Sequence, residues 1–242
     1  MSLFSISTKT LSKNSTTKAT GHYISITRQK SFSKIKDKIY YEEGQLPQCD
    51  EIKSMIDYWK AADTYVRKNG RTCRQIFIAL QEEFTVDQNI ELVEKLLDHF
   101  KIRENYTYCF AIHSKTTNNN LMHQNVHAHI MFNERTLNPN RHFQKASEIF
   151  ARYNGIKLQD KKGGLKIDRY FKSKEFLQTM RKYWADINNE KFEELEINKK
   201  ISEKTLKAQR EELEAEGRHE AAQKLNRAPQ KPHRYKTKKK SI

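Results

Sequence analysis

Two histidines separated by one residue mark the segment 125–132 as a place where metal chemistry could occur. Consecutive side chains of a β-strand point to opposite faces, so His127 and His129 share one face. The other face carries the apolar residues Val126, Ala128, Ile130 and Phe132. This apolar face predicts contact with a core, which leaves two imidazoles about 6–7 Å apart on the opposite face, a span that one metal ion can bridge. The alternative is a half-buried strand with two exposed histidines.

The segment 106–113 alternates in the same way and supplies a third imidazole. His113 lies by parity on the face with the smaller side chains, opposite the bulky residues Tyr106, Tyr108, Phe110 and Ile112. A polar connection, 114–124, predicts an antiparallel hairpin with a long loop, so His113 can join the other two as a nitrogen ligand. We expect a divalent ion, with Mn²⁺ or Mg²⁺ foremost. On ligand chemistry alone, three imidazoles suit Mn, Zn, Ni or Co better than Mg.

A tyrosine near the N-terminus is the candidate nucleophile. Tyr23 follows a stretch of small residues and precedes Arg28, a pattern compatible with a phenol that attacks a phosphate. The alternative is an amphipathic segment whose tyrosine packs in the core. The residue types alone do not decide between the two.

The charge of the chain indicates a polyanionic partner. Lysine and arginine number 46 against 30 acidic residues, a formal charge of +16. Such a field attracts phosphate polymers without distinguishing DNA from RNA or an anionic membrane. No apolar run approaches the roughly 20 residues of a membrane span, and the N-terminus lacks a secretory signal, so we expect a cytoplasmic protein without membrane insertion. Three cysteines without CxxC spacing favour a reducing compartment.

The pattern of elements predicts an α+β fold, in which helices pack on one face of an antiparallel sheet. Strand patterns cover residues 2–8, 74–80, 106–113 and 126–133, and helical patterns cover 49–69, 86–101 and 173–196. A domain over 1–198 is followed by a charged helical extension over 199–230. The remaining residues, 231–242, form a basic tail that is expected to be disordered.

Short motifs recur along the chain in one order: Ala19-Thr20-x-x-Tyr23-x-Ser25-x-x-Arg28, Arg67-Lys68-Asn69, Arg74-Gln75-Ile76, His127-Ala128-His129, Phe150-x-Arg152-Tyr153-Asn154, Lys162-Gly163-Gly164, Asp168-Arg169-Tyr170 and Trp184-Ala185. Their order and spacing resemble those of the MobA/MobL family of conjugative-plasmid relaxases, part of the His-hydrophobic-His (HUH) endonuclease superfamily. The resemblance covers roughly residues 1–235. It matches Tyr23 to the nucleophile of the family and the two neighbouring histidines to its metal motif.

The resemblance implies a metal-dependent endonuclease and strand transferase. Such an enzyme nicks one DNA strand at an origin of transfer through a 5′-phosphotyrosine at Tyr23 and rejoins it after transfer. The implied partners are single-stranded and hairpin DNA, with accessory mobilisation proteins and a coupling protein. Two alternatives stay open: a non-catalytic DNA-binding accessory protein and a rolling-circle replication initiator. Tyr40 and Tyr41 are rival phenols outside the matched motif.

At one position the chain departs from the family pattern. Relatives usually carry glutamate where this chain has Gln75. An amide oxygen can coordinate a metal or can hydrogen-bond a histidine ring, but it brings no negative charge. We expect Gln75 either to be a ligand or to support one.

Two groups of basic residues are candidate DNA contacts. Arg28, Arg71 and Arg74 are expected to touch phosphates near the site. A flexible basic loop is expected to clamp the substrate with Lys157, Lys161, Lys162, Lys166 and Arg169. The alternative for the loop is an ordinary solvated segment.

Overall fold

A five-stranded antiparallel sheet forms the centre of the protein in a computed structural model that describes residues 4–116, 124–153 and 163–225. The strands are β1 (Ile6–Ser12), β2 (Lys38–Glu43), β3 (Arg71–Ala79), β4 (Tyr106–Thr116) and β5 (Gln124–Thr136). They are ordered β1-β3-β5-β4-β2, and every neighbouring pair is antiparallel. The hairpin of β4 and β5 is confirmed, and the middle of its loop lies outside the described residues. The first strand begins four residues later than expected, and β2 was not expected.

The helices of the described residues are α1 (Ala19–Ile26), α2 (Met55–Tyr65), α3 (Val86–His99), α4 (Ile102–Asn105), α5 (Ala146–Ile149), α6 (Lys174–Glu194), α7 (Leu206–Ala215) and α8 (His219–Lys224). The three long helices that the sequence predicts are therefore confirmed, with tighter bounds. Thr85 begins α3 with a capping box: its side chain accepts from the Gln88 backbone, and the Gln88 side chain accepts from the Thr85 backbone. None of these helices combines the length and hydropathy needed to cross a membrane.

One face of the sheet is covered by α3 and α6. The strands contribute the alternating residues Ile76, Ile78, Phe110, Ile112, Ala128, Ile130 and Phe132 to this core. The helices contribute Leu92, Leu96, Met180 and Trp184, among others, and all of these side chains are buried. The apolar face that period-two alternation predicted for β5 is therefore a core face.

The opposite face carries a second core beneath α1, α2 and α5. Leu11, Cys73, Cys109 and Met131 of the strands are buried there against helical residues that include Trp59. The α+β class and the antiparallel sheet are confirmed, while the helices lie on both faces of the sheet instead of the one expected. The reason is that the small side chains of this face leave room for large helical residues and are themselves apolar.

The chain divides into two compact units, Met1–Ile201 and Ser202–Ile242. The first unit contains the sheet and helices α1 to α6. In the second unit, α7 and α8 are short and charged, as expected for the extension. The predicted basic tail, 231–242, lies outside the described residues, and the expected domain boundary at residue 198 stays a prediction.

Candidate active site

Three imidazoles meet on the second face of the sheet, at the end of the β4–β5 hairpin nearer its loop. His113 of β4 lies directly opposite His127 of β5, and Ala111 lies opposite His129. The ring centroids are 5.5 Å apart for His113 and His127, 4.9 Å for His113 and His129, and 5.1 Å for His127 and His129. One nitrogen of each ring lies within 4.8 Å of the others. The structure thus brings together the three histidines that the sequence singled out.

The chemistry of this imidazole cluster fits a divalent metal ion. Burial lowers the pKa of His113 to about 4, and burial together with the neighbouring His113 and His127 lowers the pKa of His129 to about 3. Both rings are therefore neutral at pH 7, and a neutral imidazole is the form that donates a lone pair to a metal. Three neutral nitrogens suit a transition ion such as Mn²⁺ better than Mg²⁺.

His113 is oriented by the C-terminal end of α1. Its Nε2 lies 2.7 Å from the backbone oxygen of Ile26, and its Nδ1 lies 3.2 Å from Nη2 of Arg28. A carbonyl only accepts, so Nε2 carries the proton and Nδ1 accepts from the guanidinium. Asp37 holds that guanidinium by two hydrogen bonds, of 2.7 Å to Nε and 2.9 Å to Nη2. Arg28 therefore presents a fixed positive charge beside the cluster, in the position predicted for it.

The helix that carries Tyr23 is fixed at its N-terminal end by a residue of α2. Asp63 accepts hydrogen bonds of 2.9 Å from the backbone nitrogens of Ala19 and Thr20. These are two of the backbone groups that a helix leaves without an internal partner, and a carboxylate there also complements the helix dipole. Since Ile26 at the other end contacts His113, helix α1 is held between α2 and the imidazole cluster.

Tyr23 points from α1 into the second core, and its side chain is only 3% exposed. Its hydroxyl lies 3.0 Å from Oε2 of Glu43 and 3.0 Å from the hydroxyl of Tyr41, and it accepts from Gln29 at 3.3 Å. Burial raises the pKa of Tyr23 to about 12. Tyr23 therefore packs in a core, as one of the two sequence interpretations has it, and its role as a nucleophile stays a prediction.

Two further aromatic rings touch the cluster. His22 lies edge-on to His129 with 6.4 Å between ring centroids, and burial lowers the pKa of His22 to about 4. Phe77 of β3 lies 5.2 Å from the His127 ring and 5.1 Å from the His129 ring. Four neighbours of the site were not singled out by the sequence: His22, Phe77, Asp37 and Glu43. The adjacency of His22 to Tyr23 was an available signal, whereas the two carboxylates come close only through the fold.

Gln75 occupies a different place from the one expected. It lies on the same face as the imidazoles, as alternation predicted, but it pairs across the sheet with Met131. Phe77, two residues further along β3, is the residue that faces the rings. Among the described residues, Gln75 makes no hydrogen bond with any of the three imidazoles, and its side chain lies against the Cys73 thiol instead. The geometry supports Gln75 neither as a ligand nor as a partner of one.

Arg71 and Arg74 form ion pairs within the protein. Both contact the Glu134 carboxylate, and the distance from Arg74 Nε to Glu134 Oε1 is 2.8 Å. Arg74 is 6% exposed, and its guanidinium lies over the ring of Phe176, which belongs to the core on the opposite face of the sheet. This corrects the expectation that these two arginines reach phosphates near the site, because Glu134 holds both guanidinium groups and Arg74 is buried toward the opposite face.

The residues of the predicted basic loop fall into two groups, those outside and those within the described part of the chain. Lys157, Lys161 and Lys162 lie outside the described residues. Lys166 and Arg169 are exposed and line a groove at the other end of β5, away from the imidazole cluster. Their predicted contact with DNA stays a prediction.

The fold and the site together define a class of protein: an antiparallel α+β domain with a metal-competent imidazole cluster on two central strands and a tyrosine on the adjoining helix. The chain belongs to the MobA/MobL family, whose sequence profile matches residues 21–227. This confirms the resemblance that its motifs indicated.

Two relatives carry names that describe mobilisation. The chain is 31% identical over 211 residues to "Mobilization protein A" of Escherichia coli, covering 86% of this chain and 28% of the relative. It is 33% identical over 220 residues to the "43 kDa relaxation protein" of Salmonella typhimurium, covering 86% of this chain and 55% of the relative. The chain thus spans about half, or less, of the length of these relatives.

A solved structure shares the fold. It comes from work described as "Molecular Basis of Vancomycin Resistance Transfer in Staphylococcus aureus" and superposes with a TM-score of 0.59 at 24% identity. The match covers 84% of this chain and 99% of that one. The likeness supports the α+β architecture derived above.

Proposed function

We propose that this chain is a conjugative relaxase that cleaves one DNA strand at an origin of transfer and keeps the 5′ end on Tyr23. One observation carries the proposal: His22, adjacent to Tyr23 on α1, and Arg28, two residues beyond the end of that helix, both contact the imidazole cluster. His22 touches His129, and Arg28 touches His113. A nucleophile and a metal-binding cluster therefore share one helix–sheet contact. Family membership and the names of the two relatives support the same conclusion.

The residues that would hold a divalent metal ion are His113, His127 and His129. His113 would do so through Nδ1, which requires Arg28 to release its hydrogen bond to that nitrogen. When bound, the ion supplies Lewis-acid stabilisation of charge on a non-bridging oxygen of the scissile phosphate. The donor set favours Mn²⁺ over Mg²⁺ for the reason given above. Once Nδ1 of His113 is released, Arg28 would remain a second positive charge beside the cluster, because Asp37 pairs with its guanidinium. A phosphate placed between these groups has its charge balanced from two sides.

Glu43 is placed to take the proton of the nucleophile. A free phenol has a pKa near 10, and burial raises that of Tyr23 to about 12, so at neutral pH the proton needs an acceptor. The Glu43 carboxylate is 3.0 Å from the hydroxyl, within the reach required of a general base. As the proton moves to Glu43, the Tyr23 oxygen bonds to phosphorus and the bond from phosphorus to the 3′ oxygen breaks. The 3′ oxygen takes up a proton and leaves as a hydroxyl.

The proposed reaction conserves one phosphodiester. A tyrosyl phosphodiester replaces the DNA phosphodiester, so the released or an equivalent 3′-hydroxyl can reverse the exchange without ATP. The Tyr23 hydroxyl is engaged by Tyr41 and Gln29 as well as by Glu43. A phosphate reaches it only when one of these neighbours moves, which couples strand binding to exposure of the nucleophile.

The proposal is tested by incubating the purified chain with single-stranded origin DNA and Mn²⁺ and separating the products under denaturing conditions. The expected result is a covalent adduct that holds the fragment lying 3′ of the nick through its 5′ phosphate, together with a released fragment that ends in a free 3′-hydroxyl. Binding without any adduct, across several divalent ions and with the cognate origin, would overturn the catalytic proposal in favour of a DNA-binding accessory protein. The match to the mobilisation family over residues 21–227 favours transfer over the initiation of rolling-circle replication.

A further inference from the structure

A second feature with a chemistry of its own is an open groove at the C-terminal end of β5. Its cavity volume is about 1300 Å³, which exceeds the roughly 300–1,000 Å³ of a pocket for a small molecule. The end of α2, the end of β5 and residues from the two connecting segments 150–153 and 166–172 line the groove. The size suits part of a polymer.

Positive charge dominates this groove. Five exposed cations line it: Arg67, Arg152, Lys166, Arg169 and Lys172. None of the five forms an ion pair within the part of the chain that the structure describes. The carboxylate in the lining, Asp168, is already used by the hydroxyl of Tyr106 at 2.7 Å and the backbone nitrogen of Tyr170 at 2.8 Å. Elsewhere exposed cations such as Lys95 have carboxylate partners. Unpaired cations in one concave place indicate an anionic ligand.

The same groove exposes aromatic rings. Tyr65 is 46% exposed at the end of α2, and Tyr153 is 48% exposed on the segment that follows α5. Exposed rings beside unpaired cations form a surface on which bases stack while phosphates are held. Duplex DNA offers phosphates but no unstacked bases, so the tyrosines favour a strand that is not base-paired.

The floor of the groove is rigid. Arg135 is 7% exposed, and its guanidinium donates to the backbone oxygens of Leu165 at 2.8 Å and Phe150 at 3.2 Å. Backbone bonds join Thr136 to Lys166 at 2.9 Å and extend β5 with the segment that carries the exposed cations. These hydrogen bonds fix the backbone of the floor before a ligand arrives, which reduces the entropy cost of binding.

The groove lies at a defined distance from the imidazole cluster. Arg135 is six residues beyond His129 on β5, and the register of the strand is irregular between Phe132 and Thr136. At about 3.3 Å per residue the separation is at most about 20 Å. This corresponds to about six nucleotides at the stacked spacing of about 3.4 Å, and to fewer in an extended strand.

We propose that this groove binds unpaired nucleotides of the DNA strand, with Tyr65 and Tyr153 stacked on bases and the five exposed cations on phosphates. The inference rests on the proposed function for the identity of the strand. It adds a separate subsite several nucleotides from the nick, which would hold the strand in register with Tyr23. Because stacking tolerates any base, the subsite contributes to affinity and to the position of the strand more than to the selection of a base sequence.

The test uses the full chain in EDTA, which prevents metal-dependent cleavage, and two fluorescein-labelled probes. One probe is an oligothymidylate of about 12 nucleotides, and the other is a blunt duplex of equal length. Tyr65→Ala and Tyr153→Ala should each weaken binding of the oligothymidylate by about ten-fold while leaving the duplex nearly unchanged. Tyr153→Phe keeps the ring and should bind like the wild type. Leu177→Ala, which removes an exposed apolar side chain of α6, is the matched control.

A second arm tests the cations. Neutralising Lys166 and Arg169 to glutamine should reduce affinity for the oligothymidylate and shrink its log–log salt slope by about 0.7 for each phosphate that is no longer neutralised. Lys95→Gln, which removes a paired charge of α3, should leave that slope nearly unchanged. Wild-type affinity in both tyrosine variants would overturn the proposal. An equal reduction in affinity for duplex and single strand would overturn it in favour of duplex binding. Neither result depends on adduct formation, so failure of the nicking proposal is detected separately.

Discussion

The hydroxyl of Tyr23 lies 3.0 Å from Oε2 of Glu43, although twenty residues separate the two in the sequence. Tyr23 comes from α1 and Glu43 from β2, the edge strand beside β4. The contact joins a buried phenol to an exposed carboxylate, and such a pair can pass a proton from the nucleophile to solvent. The first two predictions follow from it.

Tyr23→Phe should abolish the covalent adduct while affinity for origin DNA stays within a few-fold. The change removes one oxygen and keeps the ring that packs in the second core, so folding is preserved. Denaturing gel electrophoresis of the protein–DNA product measures the adduct. Tyr40→Phe is the control and should form the adduct normally. Tyr40 lies on β2, the edge strand that also carries Glu43, with its side chain on the opposite face of the sheet. An adduct in the Tyr23 variant would move the nucleophile to another tyrosine.

Glu43→Gln should slow adduct formation by about 100-fold or more, since a positioned general base contributes about 10²–10⁴-fold. The amide cannot take the proton, so the residual rate should rise with pH as hydroxide replaces the base. Single-turnover rates of adduct formation measured between pH 6 and 9 test this expectation. That range lies below the pKa of a free phenol, which is about 10. A wild-type rate and pH profile would remove Glu43 from the mechanism.

His127→Ala and His129→Ala should each reduce Mn²⁺ affinity by more than about 100-fold, because loss of a ligand exceeds the 10–100-fold effect of a supporting residue. Isothermal calorimetry without DNA measures the affinity directly. His142→Ala is the matched control, since that exposed imidazole pairs with Asp50 outside the cluster. Gln75→Ala should change the affinity little, given its distance from the rings. A large loss in the Gln75 variant would restore it as part of the metal site.

The metal-free protein should become more stable as pH rises from about 4 to 6.5. Unfolded histidines titrate near 6.5, whereas burial lowers the pKa of His113 to about 4 and that of His129 to about 3. Within this window the unfolded state binds more protons, so the free energy of unfolding increases with pH, by at most about 1.4 kcal/mol per pH unit for each histidine. Above pH 6.5 these groups should contribute no further change. Urea denaturation in EDTA measures the slope, and His129→Gln should reduce it.

Period-two alternation predicted the central hairpin well because one face of β5 is uniformly apolar. The same alternation puts Arg74 on the face of β3 that carries Ile76 and Ile78, and this face packs in the opposite core. Strand β2 was missed because Lys38–Glu43 is a charged edge strand with little buried surface. Helix α1 was missed since its capping carboxylate, Asp63, is supplied by another helix. Contacts of this kind depend on the fold and leave no local pattern.

Glu134→Gln should destabilise the protein by about 3–5 kcal/mol, the usual cost of leaving a buried charge without its partner. Glu134 is buried, accepts a hydrogen bond from Arg74 and forms an ion pair with Arg71, so one substitution leaves two guanidinium groups without a carboxylate. Asp186→Asn, which affects an exposed pair with Lys182, should cost at most about 1 kcal/mol. Urea denaturation at pH 7 compares the two. Equal losses would mean that the buried network contributes no more than a surface pair.

Gly164→Ala should both destabilise the protein and weaken the binding of single-stranded DNA in the groove. A methyl group at Gly164 would overlap the backbone oxygens of Ala151, which lines the groove, and of Ile149. The backbone would have to shift, at a cost of about 1–3 kcal/mol, and the hydrogen bond from Gly164 N to Arg152 O would lengthen from 3.2 Å. Gly21→Ala is the matched control, because its added methyl group meets no atom within 4 Å. Being helical, that variant should gain about 0.5–1 kcal/mol. Equal stability and equal oligothymidylate affinity in the two variants would show that the walls of the groove are not held together at Gly164.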